Sequence, residues 1–195
     1  MTRQRVKLFL IGPPASGKTT ARQHLSRLTR SLGMRPILLG IEEAQRSLRP
    51  RAAPDPSYYY DSNGALILFD REKQVREAIS LLARQCRSAE PKGFICEVAH
   101  PDVVSILASD FGSLLECSFV FIFSAPIHVR ALRNKLRGAL RMPDEVVNSI
   151  PDYLPEEVCE TLRRLGSTVY RIDSSGALQE MFRQVDSAAQ DFLKV

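Results

Sequence analysis

The chain has 195 residues, 44% of them hydrophobic and 25% charged, with a formal charge of +5 and an isoelectric point near 9.2. That length suits one domain with one substantial core, and the longest apolar runs, such as Phe119 to Phe123, are too short to cross a bilayer, which excludes a membrane-spanning class. The positive excess fits a phosphate-bearing small ligand and is modest for a dedicated nucleic-acid binder, while four cysteines (Cys86, Cys96, Cys117, Cys159) without C-x-x-C spacing indicate neither a zinc site nor a secreted disulfide framework and best fit reduced thiols in a cytoplasm.

The basic lead-in and apolar run at the N-terminus have the look of a secretory leader. That run passes straight into a glycine loop that cleavage would destroy, so Val6 to Ile11 reads as a first core strand. After the loop the apolar period changes to that of a helix, with Ala21, Leu25, Leu28 and Leu32 on one side and Gly33 closing it. Pro36 to Gly40 is a second strand, and Glu42 to Leu48 a short helix ended by Pro50. Residues 49–64 break composition, being rich in Pro, Arg and Tyr, and the stretch from Ala65 to Asp70 fits either a short strand or a helix lead-in. Val75, Ile79, Leu82 and Cys86 mark an amphipathic helix to about Arg87.

Gly93 to Val98 is a third strand, Pro101 to Phe111 a helix, and Ser118 to Phe123 the most strand-like segment, expected at the centre of the sheet. Pro126 opens a helix in the first-turn position proline favours, with Val129, Leu132 and Leu136 as its expected buried stripe. Leu154 to Gly166 is a helix with Val158, Leu162 and Leu165 inward, Thr168 to Asp173 a fifth strand, and Leu178, Met181, Phe182, Val185, Ala189 and Phe192 the stripe of a closing helix. Short apolar strands alternating with helices predict an α/β fold of three layers, a five-stranded parallel sheet covered on both faces. Ligands of such sheets bind beyond the carboxyl ends of the strands, so the residues after Ile11, Leu39, Val98, Phe123 and Ile172 should face one crevice.

The first of these points is informative. Gly12, Pro13, Pro14, Ala15, Ser16, Gly17, Lys18 and Thr19 match G-x-x-x-x-G-K-[ST] at every fixed position, after a strand and before a helix. Such a loop aims backbone N–H groups at phosphate oxygens and adds the positive end of the helix. Lys18 would reach the β- and γ-phosphates of ATP, and the Thr19 hydroxyl would ligate Mg2+, with Thr20 beside them. The motif names a ligand and leaves the reaction open. A GTPase is disfavoured, since Asn134-Lys135 continues as Leu136-Arg137 without the aspartate that reads guanine, and Asp61 and Asp173 each begin a turn of Asp-Ser-x-Gly form.

Arg133, Arg137 and Arg141 are four apart, so one helix face would present a row of guanidinium groups suited to the charge that spreads in phosphoryl transfer. Glu97 ends the third strand after apolar residues, where a carboxylate would orient metal-bound water or take the proton of an acceptor hydroxyl. Glu42 and Arg46 share a helical face and are either acceptor ligands or an ordinary ion pair. Tyr58, Tyr59 and Tyr60 either stack on an acceptor ring or sit on a surface loop, and His100 reads as a helix-start residue.

Taken together, the loop, the five-strand plan, the short chain and the Arg-x-x-x-Arg helix resemble the nucleoside-monophosphate and small-molecule kinase branch of the P-loop fold, which includes adenylate, gluconate, shikimate and adenylylsulfate kinases. The resemblance implies strand order 2-3-1-4-5, acceptor-binding residues after the second strand, an acidic residue where Glu97 stands, and a lid bearing Arg133 and Arg137. On it, residues 1–195 form a single kinase domain with 49–64 on the acceptor side and 138–155 as a short lid. It implies ATP and Mg2+ as cofactors, a small-molecule phosphoryl acceptor as partner, and a cytoplasmic enzyme. The absence of D-G-F-P-R after the third strand argues against adenylate kinase activity itself. Two alternatives remain open: a polynucleotide or tRNA kinase, suggested by the stretch from Arg141 to Ile150, and an ATP-binding regulatory module that acts through a protein partner.

Overall fold

The computed structural model describes residues 5–41, 43–44, 58–60, 66–68, 71–99, 103–137, 142, 144–148 and 151–193, with the backbone alone at 58–60, 66–68, 71–74, 104 and 145–146. Five parallel strands form the frame: β1 (Lys7–Ile11), β2 (Ile37–Gly40), β5 (Phe94–Val98), β6 (Phe119–Ser124) and β7 (Thr168–Asp173). Their order is β2-β5-β1-β6-β7, which is 2-3-1-4-5 when only these strands are counted, as expected. The middle strand is therefore β1, not Phe119–Ser124, which lies inside the sheet between β1 and β7. High β-propensity follows from burial on both faces, and every strand but the two edges has that.

Among the described residues the helices include α1 (Lys18–Ser31), α2 (Arg71–Ala89), α3 (Val103–Asp110), α4 (Gly112–Leu115), α5 (Ile127–Lys135), α6 (Asp144–Asn148), α7 (Glu156–Arg164) and α8 (Leu178–Leu193), and Ile41, Glu43 and Ala44 after β2 are helical as well. Among the described residues no helix is long and apolar enough to cross a membrane. Alternation along the strands divides the core in two. Phe9, Ile11, Cys96, Val98, Val120 and Ile122 pack against α2, α3 and α7, whereas Leu8, Leu10, Ile95, Phe121, Phe123 and Ile172 pack against α1 and α8. The same alternation sends Glu97 to the α1 side.

Other parts also differ from the sequence reading. Within the Pro/Tyr-rich stretch and beyond it, Tyr58–Tyr60 (β3) and Leu66–Leu68 (β4) form an antiparallel pair, which resolves the ambiguity at Ala65 to Asp70 in favour of a strand. In α5 the expected stripe of Val129, Leu132 and Leu136 is not the buried one. Leu132 and Leu136 are 60% and 79% exposed, and the buried residues are Arg130 and Asn134. Polar groups tolerate burial when their hydrogen bonds are made. Arg130 donates from Nε to the Ala125 carbonyl (3.1 Å), from Nη1 to that of Val147, and from Nη2 to Asp152 Oδ1 (2.6 Å). Asn134 donates Nδ2 to the Met142 carbonyl and accepts the Met142 N–H, both at 2.9 Å. Hydrophobic periodicity alone carries no record of such partners.

Candidate functional site

The loop between β1 and α1 is shaped by three residues with left-handed backbone, Gly12 (φ +142°), Ala15 (φ +60°) and Gly17 (φ +90°). Backbone that alternates hand in this way turns successive N–H groups toward one point and forms an anion-binding concavity. The loop has no room to spare. A Cβ on Gly12 would fall well inside 3.0 Å of the Phe123 carbonyl oxygen, and one on Gly17 would meet Met181 Sδ at 2.9 Å.

Lys18, the first residue of α1, is 3% exposed, and its side chain folds back over the loop. Its Nζ donates to the carbonyls of Gly12 (2.9 Å) and Pro13 (2.6 Å) and lies 3.4 Å from Ser16 Oγ. A buried ammonium needs such acceptors, and the two loop carbonyls supply them here. Next in the helix, Thr19 Oγ1 stands 2.9 and 3.0 Å from the two Glu97 oxygens. The pairing register explains this closeness: Glu97 lies beside Leu10 of β1 and Gly40 of β2, one residue from the strand end, with its side chain on the face that α1 covers.

Beyond the β6 and β7 ends, Ser174 joins several segments. Its N–H donates to the Ser124 carbonyl (2.9 Å), its Oγ is 2.6 Å from the Ser16 carbonyl and 2.9 Å from that of Ser124, and its own carbonyl accepts from Arg133 Nη2 at 2.5 Å. The turn expected at Asp173 is present, with the Ser175 N–H donating to Asp173 Oδ1 at 2.8 Å. Arg133 and Arg137, with Ala15, Gly17, Thr20, Leu178 and Met181, line a cavity of about 320 Å³ against the outer side of the loop. Burial lowers the pKa of Arg133 from its ordinary value, and the guanidinium remains cationic. Leu178, expected in the core, is 48% exposed at the mouth of this cavity because α8 begins there. Deeper along the helices His24 of α1 stacks on Phe182 of α8 (4.2 Å between ring centres, 12° between planes) and reaches Asp186 Oδ1 at 2.6 Å, bracing α8 against the loop helix.

Of the residues singled out in the sequence, the structure gathers Gly12 to Thr20, Glu97, Arg133 and Arg137 at the carboxyl ends of the strands. Glu42, Arg46, His100 and Arg141 lie outside the described residues, and Tyr58 and Tyr59 are placed by backbone only, in β3. Sequence reasoning missed Arg22 and Ser174. Arg22 donates to the Leu39 carbonyl (3.1 Å) and Glu43 Oε1 (2.9 Å), and its Nε is 3.7 Å from Glu97 Oε2. Its spacing of three from Thr19 was the available signal; for Ser174 it was its place directly after the fifth strand. Among the described residues no group of three or more His, Cys, Asp or Glu gathers as a metal cluster, so any cation here would rely on Thr19, Glu97, water and ligand oxygens. That is the donor set magnesium takes in phosphate sites.

No family model and no curated protein matches the sequence. Solved structures do resemble the fold along nearly its whole length. A sugar kinase from a Janibacter species aligns with a TM-score of 0.59 at 12% identity, covering 98% of this chain and 96% of that one. A shikimate kinase from Acinetobacter baumannii in complex with shikimate aligns with a TM-score of 0.55 at 15% identity (98% and 94% covered). A gluconokinase from Sinorhizobium meliloti also gives 0.55, at 13% identity (98% and 96% covered). At these identities the shared property is the fold alone, which in this chain is a five-stranded parallel sheet in the order 2-3-1-4-5 with helices around it.

Proposed function

We propose that the protein is a magnesium-dependent phosphotransferase that moves the γ-phosphoryl group of ATP to a hydroxyl or phosphate of a small molecule. The observation that carries this reading is the convergence at one sheet edge of a phosphate loop with a buried lysine, a hydroxyl-carboxylate pair (Thr19 and Glu97), and two arginines around a cavity against the loop. Fold likeness to sugar, shikimate and gluconate kinases agrees with it.

In this reading the loop amides and Lys18 hold the β- and γ-phosphates, Lys18 exchanging the Gly12 and Pro13 carbonyls for phosphate oxygens. Thr19 and Glu97 would hold the metal, the hydroxyl as ligand and the carboxylate through water, a role favoured over proton acceptor because the carboxylate faces the Thr19 hydroxyl at 2.9 Å. Bound magnesium would neutralise charge across the transferring phosphoryl group. Arg137, with Arg133 beside it, meets the charge that grows on the phosphoryl oxygens as the acceptor oxygen bonds to phosphorus and the bond to the ADP oxygen breaks. The cavity lined by Thr20, Arg133, Leu178 and Met181 receives the nucleotide's base. Residues 49–64 cover the acceptor and residues 138–155 act as lid, their base held by the contacts of Arg130 and Asn134 with Val147, Asp152 and Met142. We assign the activity to the cytoplasm, where ATP and reduced thiols coexist.

A panel of sugars, sugar acids, nucleosides, nucleotides and short oligonucleotides, each added with Mg·ATP, tests the proposal through acceptor-stimulated ADP release. Stimulation by a small molecule is the expected result. Stimulation by oligonucleotides alone would transfer the reading to a nucleic-acid kinase, and ATP binding without any stimulation would mark a regulatory module.

A further inference from the structure

We infer that Arg22 is a positioning residue that selects which oxygen of Glu97 faces the phosphate loop and conveys to it the state of the chain beyond β2. The inference rests on the reading of Thr19 and Glu97 as the metal-side pair. By itself the Thr19 hydroxyl does not orient Glu97, because Oγ1 is 2.9 Å from one carboxylate oxygen and 3.0 Å from the other. A single hydroxyl proton shared so evenly leaves the two oxygens equivalent. Arg22 breaks the equivalence: its Nε is 3.7 Å from Oε2, a charge contact longer than a hydrogen bond, on one side of the carboxylate.

The guanidinium is held from the other direction. Nη1 donates to the Leu39 carbonyl at 3.1 Å and Nη2 to Glu43 Oε1 at 2.9 Å, and the Arg22 side chain is 12% exposed. Because the guanidinium is planar and rigid, fixing its two terminal nitrogens also fixes Nε. Glu97 therefore takes its orientation from the last residues of β2 and the first beyond it. Gly40 makes the crossing possible. A Cβ there would stand 2.7 Å from Arg22 Nη1 and closer still to a Glu43 oxygen, and Gly40 is the register partner of Glu97. A ligand that moves Glu43, which is 44% exposed, changes the hold on Arg22 and through it the Glu97 carboxylate. The proposed acceptor side is in this way coupled to the proposed metal side.

The test measures the affinity of the whole protein for a fluorescent ATP analogue with excess Mg2+ and with excess EDTA, and reads the ratio, which a merely structural role would not move. Outer-sphere partners of metal ligands alter metal affinity by about 10–100-fold, which is the scale for E97Q. R22Q, acting one contact further out through Glu97, should reduce the magnesium-dependent gain by the low end of that range, roughly tenfold. R22K, which keeps a charge without the fork, should recover part of it. G40A should lose it like R22Q although Arg22 is retained, and it carries the test should R22Q fail to fold. Ratios within about twofold of wild type for R22Q and G40A, while E97Q loses the gain, would overturn the inference and leave the metal-side pair standing. An unchanged ratio in E97Q would overturn both.

Discussion

Ser174 and Ser16 are 158 positions apart in the chain, and the hydroxyl of one lies 2.6 Å from the carbonyl of the other. That contact locks the phosphate loop onto the turn after β7, and the same residue's carbonyl receives Arg133. Ser174 is 1% exposed, so loss of its hydroxyl leaves the Ser16 carbonyl short of a donor where water does not easily replace it, while the Ser124 carbonyl keeps the residue's backbone N–H. Ser174→Ala should cost about 1–3 kcal/mol of stability, the usual cost of an unsatisfied buried group. Urea unfolding measures it, and ATP affinity should fall in parallel because the loop and Arg133 lose a common support.

Gly12 and Gly17 differ in what surrounds them. Both have positive φ, but the obstacle at Gly12 is the Phe123 carbonyl, whereas at Gly17 it is the end of the flexible Met181 side chain. Thermal unfolding should therefore show a larger loss for Gly12→Ala than for Gly17→Ala, with Gly12→Ala destabilised by at least about 2 kcal/mol through strain that the β6 backbone cannot relieve. The double change Gly17→Ala with Met181→Ala should be closer to additive strain than to rescue, because the backbone conformation at 17 remains unfavourable.

Arg137 lines the cavity beside Arg133 at the outer side of the loop. A residue that acts on the transition state rather than on bound ATP lowers turnover more than affinity. Arg137→Ala should reduce Mg·ATP turnover about 100-fold or more while ATP affinity changes less than about tenfold. Steady-state kinetics alongside direct ATP titration separate the two quantities, and equal losses in both would assign Arg137 to ground-state binding.

Asp152 ties the segment after α6 to Arg130. Burial raises its carboxyl pKa, but the Arg130 hydrogen bond, an Ile127 N–H, and the charges of Arg130 and His128 outweigh that and hold it below the ordinary carboxylate value. A folded pKa below the unfolded one means that the folded state binds fewer protons, so the pair's stabilisation is present above about pH 4 and is lost as pH falls through the folded value. The stability difference between wild type and Asp152→Asn should be largest near neutral pH and shrink below about pH 4. Thermal unfolding at a series of pH values reads it directly.

The sheet was legible because its strands are short apolar runs, and the phosphate loop because its glycines and lysine must stand at fixed spacing. The strand order was reached only through resemblance. What failed was local periodicity in α5, where Arg130 and Asn134 are buried and Leu132 and Leu136 are not. The partners that make those polar residues welcome, Val147, Asp152 and Met142, come from another segment, and no helical period reports them. Arg22 and Ser174 escaped for a related reason. Each looks ordinary in its own element and gains meaning only from residues brought beside it by the sheet register, such as Glu97 next to Gly40. Glu97 stands out in the sequence as an acid after an apolar run at the end of the third strand; the structure places it one residue before that end, beside Thr19 and Arg22, which the sequence does not foretell.

Calorimetric titration of Mg·ATP into the wild-type protein and into Lys18→Ala bears most directly on the phosphate loop as the seat of function. The buried ammonium is held by the Gly12 and Pro13 carbonyls in a loop closed by Ser174, so the prediction is saturable one-to-one binding to wild type. In a still-folded Lys18→Ala protein that binding should be weakened at least about tenfold, which corresponds to about 1.4 kcal/mol. Equal affinity in the two proteins, or no heat of binding in wild type, would contradict it.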